Sequence, residues 1–124
     1  MKTVLVDTDV LIDFLRGKEK ARELIVSLAG DADIICSAIT VAEIHAGMKE
    51  QERVKTQELL DSLTIIDVTR DIAEKAGAYR RTIRSHALEL DDCLIAASAY
   101  LKRATLATGN AKHYPMGDIE KKLV

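Results

Sequence analysis

Three acidic residues, Asp7, Glu43 and Asp92, stand where the surrounding sequence gives a charge least reason to be. Asp7 ends the apolar run TVLVD. An unpaired buried carboxylate is costly, so Asp7 must meet water, a cation or backbone donors; simple capping of the next helix is the plain alternative. Glu43 follows Val41 and Ala42 and precedes Ile44, beside an apolar stripe, and its place three residues after Thr40 also fits a capping box. In LDDCLIAASAY, Asp91 and Asp92 precede a nearly uncharged helix whose unpaired N–H groups favour negative charge. One of the pair can cap that helix while the other faces the sheet edge. Carboxylates converging within about 5 Å repel by roughly 3 kcal/mol per pair at an effective dielectric near 20, so protons or a divalent cation must relieve them. Oxygen-only ligands favour magnesium or manganese over zinc.

Other chemistries lack their residues. No HxxxH or HExxH pattern joins His45, His86 and His113, which are expected on the surface or in loops. There is no Gly-rich phosphate loop followed by Lys and no Ser in a GxSxG setting. Cys36 and Cys93 lack CxxC spacing and read as buried free thiols, which suits a reducing cytosol. A formal charge of -2 argues against gripping nucleic acid over the whole surface, and 3% aromatic residues with no Trp argue against a base-stacking platform. A local basic patch remains open: Arg80, Arg81 and Arg84 form either a rim for RNA phosphates or a solvated helix face. The apolar opening after Met1 and Lys2 is too short for a signal peptide or a membrane span, so the expectation is a cytoplasmic protein without membrane contact.

The acids have to be positioned by the elements around them. At 124 residues, one domain spanning residues 1–124 is expected. A strand over about residues 3–6 leads directly into a short helix with Val10, Leu11 and Phe14 inward, broken at Gly17. A helix over 18–28 places Ala21, Leu24, Ile25 and Leu28 on one face, and a strand over 33–36 ends at the turn residue Ser37. Thr40 is expected to cap the next helix, with Val41, Ile44 and Met48 as its stripe. The polar segment 49–56 leads to a helix with Leu59, Leu60 and Leu63, and LTIID reads as a third strand. Ile72, Ala76, Tyr79 and Ile83 predict a long amphipathic helix over 70–86. Leu90, Leu94, Ala97 and Leu101 predict a largely buried helix starting near residue 91 or 92; ATLATGN reads as a fourth strand. An irregular loop around Pro115 and Gly117 precedes a short last element of unassigned type over 118–124. Strands alternating with helices imply a three-layer α/β/α fold, with a central, mostly parallel sheet of four or five strands. Ligands of such sheets collect outside the C-terminal strand ends, where the three acids fall.

Taken in order, DTDVLIDFL, VAEIHAG, DDCLIAASA and TLATGNAKHY resemble the PIN-domain nucleases, most closely the VapC-like toxins of toxin-antitoxin pairs. The resemblance runs from the first strand to the loop around Tyr114. It implies that Asp7, Glu43 and Asp92 are the first, second and third acids of the family. Thr108 and Asn110 match the strand-end positions that complete the pocket; Asn110 departs from the version with a fourth acid, so a second metal would bind more weakly or be absent. Asp9 stands where related proteins often carry a small hydroxyl or amide residue, and would orient a ligand water or supply missing charge. Asp91 is not given the role of Asp92. The implied activity is endoribonucleolytic, tRNA being one possible substrate, with Mg²⁺ or Mn²⁺ held by Asp7 and Asp92. Glu43 would ligate directly or orient a coordinated water. A metal-activated water would leave a 5'-phosphate and a 3'-hydroxyl. The resemblance also implies a homodimer and a VapB-like antitoxin that carries the DNA contact, since this chain shows no reader helix.

Two rivals stay open on the sequence. Asp7-Thr8-Asp9 and Ser37 would suit a haloacid-dehalogenase-like phosphatase, against which stand the short chain, the immediate helix after Asp9 and the match around Glu43. A response-regulator-like or other non-enzymatic cation-binding α/β module would bind metal without RNA turnover.

Overall fold

The first apolar run folds as β1 (Lys2–Val6), whose alternating side chains serve two cores at once. Leu5 packs on one side of the sheet with Ile35 and Leu106, while Val4 and Val6 pack on the other with Cys36 and Ala107. The computed structural model, which describes residues 2–85 and 87–124, completes the sheet with β2 (Ala32–Ser37), β3 (Thr64–Ile66), β4 (Thr105–Thr108) and β5 (Lys121–Leu123). On one face lie α5 (Arg70–Thr82) and α6 (Leu90–Leu101), contributing Ile72, Ala76, Tyr79, Ile95 and Ala96. On the other lie α1 (Thr8–Leu15), α2 (Glu19–Leu28), α3 (Ala38–Gly47) and α4 (Arg53–Asp61), contributing Leu11, Leu24, Ile44 and Leu59. These are the three layers expected.

The strand order is β3-β2-β1-β4-β5, and every adjacent pair is parallel. The chain leaves β1 to build β2 and β3 on one side, then crosses to build β4 and β5 on the other. The order therefore reverses between β1 and β4, opening a crevice at their C-terminal ends, where sheets of this kind take ligands. Register sets what faces that crevice: Val6 lies opposite Ala107, so Asp7 emerges beside Thr108.

Several boundaries differ from the sequence reading. Ser37, expected only as a turn, ends β2 and caps α3 by accepting the Ile39 N–H at 3.0 Å. Thr40, expected as the cap, lies buried inside that helix, because the earlier hydroxyl already satisfies the free N–H. α4 begins at Arg53 behind a 3-10 turn, within a stretch read as polar lead-in. α5 stops at Thr82, four residues short of the expected end; Ile83 continues the apolar spacing but adopts an extended backbone at φ -91°, ψ 102°. The stripe on α6 is displaced: Leu90 and Leu101 are exposed, while Cys93, Ile95, Ala96, Ala97 and Ala99 are buried. The unassigned last element is the edge strand β5. Cys36 and Cys93 are buried free thiols as expected, and burial pushes the Cys36 thiol up to about 11. His86 lies outside the described residues, as does Met1. Among the described residues no helix is long and apolar enough to cross a membrane.

Candidate active site

Asp7 is 6% exposed and held from two sides. One carboxylate oxygen accepts the Thr8 N–H at 2.8 Å, so the residue does cap α1; the other accepts the Thr108 hydroxyl at 2.8 Å, across 101 residues of sequence. Thr108 is itself fixed, its Oγ1 accepting the Asn110 N–H at 3.0 Å. Capping and site geometry thus coexist in one residue, where the sequence posed them as alternatives.

Glu43 is half-buried on α3 and is used differently from a capping-box glutamate. Its Oε1 lies 2.7 Å from the hydroxyl of Thr8, which lies 2.9 Å from that of Thr40. Thr8 has one proton, and the carboxylate is its stronger acceptor. Thr8 therefore ties Glu43 to the residue next to Asp7. The helices α3 and α6 touch, which brings the side of Glu43 toward the start of α6 and Asp92.

Asp92 sits in the first turn of α6, 19% exposed, with Tyr114 donating to Oδ1 at 3.4 Å and His113 Nδ1 3.5 Å from Oδ2. Burial raises its carboxyl above the ordinary 3.8; His113 opposes this, and the charges of Asp7 and Glu43 reinforce it. Asp9 keeps solvent contact, yet the protein packed around its carboxyl, then the charge and hydrogen bond of Asp7, push it up to about 6. A Cβ at Gly109 would come within 3.0 Å of Asp9 Oδ2, so the bare backbone at 109 leaves room for that carboxylate. The side chain of Asn110 lies 3.0 Å from His113 Nε2.

The structure thus brings together Asp7, Asp9, Glu43, Asp92 and Thr108, with Asn110 behind His113. It does not gather the three arginines. Arg80 lines a cleft with Leu88, Glu89 and Asp91 at the start of α6, whereas Arg81 is exposed on α5 and Arg84 is exposed beyond its end. The sequence reading missed Thr8, Thr40, His113 and Tyr114. Thr8 lies between two acids in DTD, a signal that a hydroxyl there would bond one of them. Tyr114 is one of only four Tyr and Phe residues in the chain, placed in a stretch read as irregular.

Among the described residues, no Lys or Arg pairs with any of these four carboxylates; His113 is the one basic group that does. Nor, among the described residues, do three His, Cys, Asp or Glu side chains form a ready-made metal cage. The donor chemistry still fits a hard cation. The set is carboxylate oxygen with hydroxyl support, its like charges have no Lys or Arg counterion among the described residues, and magnesium is ordinarily held by one or two carboxylates with waters and substrate phosphates completing the shell.

Comparison with known proteins gives a concordant picture. A family model for the PIN domain matches residues 4–118. Ribonuclease VapC10 of Mycobacterium tuberculosis is 43% identical over 115 residues, covering 91% of this chain and 86% of the relative. Among solved structures, a toxin-antitoxin complex from Klebsiella pneumoniae superposes with a TM-score of 0.80 at 31% identity, covering 94% of each chain. VapBC2 from Rickettsia felis, bound to a DNA fragment from its promoter, superposes at 0.87 over 98% of each chain; at 24% identity this likeness bears on the fold alone.

Proposed function

The chain belongs to the PIN-domain family, in its VapC-like ribonuclease toxin branch, and from that premise we propose that it is a metal-dependent endoribonuclease acting through Asp7, Glu43 and Asp92. The observation that carries the reading is the convergence, at the reversal between β1 and β4, of carboxylates that have no Lys or Arg partner among the described residues. Asp7 and Asp92 would hold Mg²⁺ or Mn²⁺, with Glu43 ligating or orienting a water. A cation held by these residues would supply Lewis acidity toward a phosphate oxygen and lower the pKa of a water, and hydrolysis of this kind would leave a 5'-phosphate and a 3'-hydroxyl.

The chain's own residues do the positioning. Thr8 and Thr108 each occupy part of a carboxylate's acceptor capacity, which is about four lone-pair sites, and leave the rest available. Thr108 fixes the rotation of Asp7, and Thr8 fixes that of Glu43. Asn110 acts through His113, and Asp9 adds charge at the position nearest Gly109. Arg80 is best placed of the three arginines to meet an RNA phosphate, since it borders the start of α6; Arg81 and Arg84 would contribute only longer-range attraction.

As the toxin of such a pair, residues 1–124 would act as one cytoplasmic domain, form a homodimer and be restrained by a VapB-like antitoxin. DNA would be reached mainly through that antitoxin, and the pairing with an antitoxin is supported by the Klebsiella pneumoniae relative, whose structure is a toxin-antitoxin complex. The test is cleavage of a mixed RNA pool that includes tRNA, with Mg²⁺ or Mn²⁺, beside Asp7→Asn and Asp92→Asn. Cleavage lost in both variants and in EDTA supports the reading. Intact metal binding with no RNA cut would favour the cation-binding regulatory module, and a phosphoryl group trapped on Asp7 the phosphatase.

A further inference from the structure

Tyr114 is fully buried, its ring packed in the core under α5 and α6. A phenylalanine would fill the same space, and a hydroxyl in such a place costs free energy unless it is partnered. The partner of this hydroxyl belongs to the acidic site. It donates to Asp92 Oδ1 at 3.4 Å, and burial, then the charges of Asp7 and Asp92, push the phenol above its ordinary range. A phenol has one proton, so this hydroxyl has a single donation to give, and a carboxylate of the site takes it.

The backbone around Tyr114 is held as firmly as its ring. Its N–H donates to the Ala111 carbonyl at 3.0 Å. Its own carbonyl accepts from Lys121 Nζ at 2.8 Å, and the same ammonium donates to the Met116 carbonyl at 2.9 Å. Lys121 begins β5, so the path runs from the sheet edge through the backbone of Tyr114 to its hydroxyl, and from there to Asp92 on α6.

Resting on the metal-dependent reading above, we propose that Tyr114 is a positioning residue whose hydroxyl sets the orientation of Asp92 beside Asp7 for the cation, with Lys121 holding the strut in place. Groups one shell out from a metal commonly change its affinity by about 10- to 100-fold. The test is Mn²⁺ titration by electron paramagnetic resonance on the RNA-free chain, with RNA cleavage measured in parallel. Tyr114→Phe should weaken Mn²⁺ binding about tenfold. It should leave KM for RNA unchanged, with kcat returning to the wild-type value at saturating Mn²⁺. Lys121→Met, which leaves every acid and the phenol in place, should weaken Mn²⁺ in the same direction by a smaller factor, roughly threefold, as a more distant support. Wild-type Mn²⁺ affinity in both folded variants would overturn the proposal, and so would a kcat loss that saturating Mn²⁺ does not restore. No Mn²⁺ binding by the wild-type chain would remove the metal-dependent reading itself, a result visible before either variant is made.

Discussion

Two aspartate-tyrosine pairs in this fold differ in whether an ammonium group pairs with the carboxylate, and the difference separates a structural clamp from the proposed active site. In the first, Tyr79 donates to Asp118 at 2.7 Å and Lys75 donates to the other oxygen at 2.8 Å, with the Lys75 ammonium 4.7 Å from the Tyr79 ring and 4.0 Å from that of Tyr100. Burial alone would raise the Asp118 carboxyl, but the bonds from Lys75 and Tyr79 outweigh it and hold the group below the ordinary range. In the second, Tyr114 meets Asp92 while, among the described residues, no Lys or Arg pairs with that carboxylate, and burial together with Asp7 and Glu43 outweighs His113 and holds Asp92 above the ordinary range. The first pair joins α5 to the segment before β5 and is electrostatically complete. The second is left negative at the crevice, which is the kind of perturbed carboxylate setting where a ligand is to be sought.

The largest expected effect comes from removing charge at the second pair. Asp7→Asn and Asp92→Asn should each lower RNA cleavage by at least about a hundredfold, since even groups behind the ligands commonly cost 10- to 100-fold. The metal-free Asp92→Asn protein should melt no lower than wild type, because it loses a repelling charge. Breaking the first pair should do the reverse. Lys75→Met should cost about 1 kcal/mol of stability, a figure already discounted for the partial exposure of Lys75 and Asp118, while cleavage by the folded protein stays unchanged. Chemical denaturation and initial rates measured side by side check both.

A pH series sharpens the contrast. Asp9, pushed up to about 6, and Asp92, also raised, bind protons more tightly in the folded than in the unfolded chain. Their contribution is therefore fully present below the ordinary carboxylate range and is lost as pH rises through the folded values. In EDTA the melting temperature should climb as pH falls from 7.5 to 5, and Asp9→Asn should flatten much of that slope. Asp118, held low, works in the opposite sense, its contribution being lost only below about pH 4. The smallest effect is expected at Arg80: Arg80→Ala should reduce kcat/KM by about two- to threefold and lessen its salt dependence, as loss of a single phosphate contact would.

Much of this was legible because the signals were local and strong. A carboxylate ending VLV marked where the first strand ends, and alternation of strands with helices implied the parallel sheet whose reversal makes the crevice. What stayed hidden depended on contacts distant in sequence. The capping role passed from Thr40 to Ser37 because a strand residue happened to end where its hydroxyl reached the next N–H. Glu43 looked like half of a capping box until Thr8, 35 residues away, took it as a partner. β5 is three exposed residues, Lys121, Lys122 and Leu123, with no alternation to reveal it. Tyr114 and His113 lay in a stretch whose only local features were Pro115 and Gly117. Ile83 failed in the other direction, keeping the helical spacing after the backbone had left the helix.

The central claim is that the charge of Asp7, Glu43 and Asp92 is left open for a cation, and the melting temperature with and without Mn²⁺ at pH 7.5 tests it most directly. A marked rise in the wild-type chain that shrinks in Asp7→Asn and Asp92→Asn is the predicted result. A wild-type melting temperature indifferent to Mn²⁺, or a rise that both variants keep in full, would contradict it.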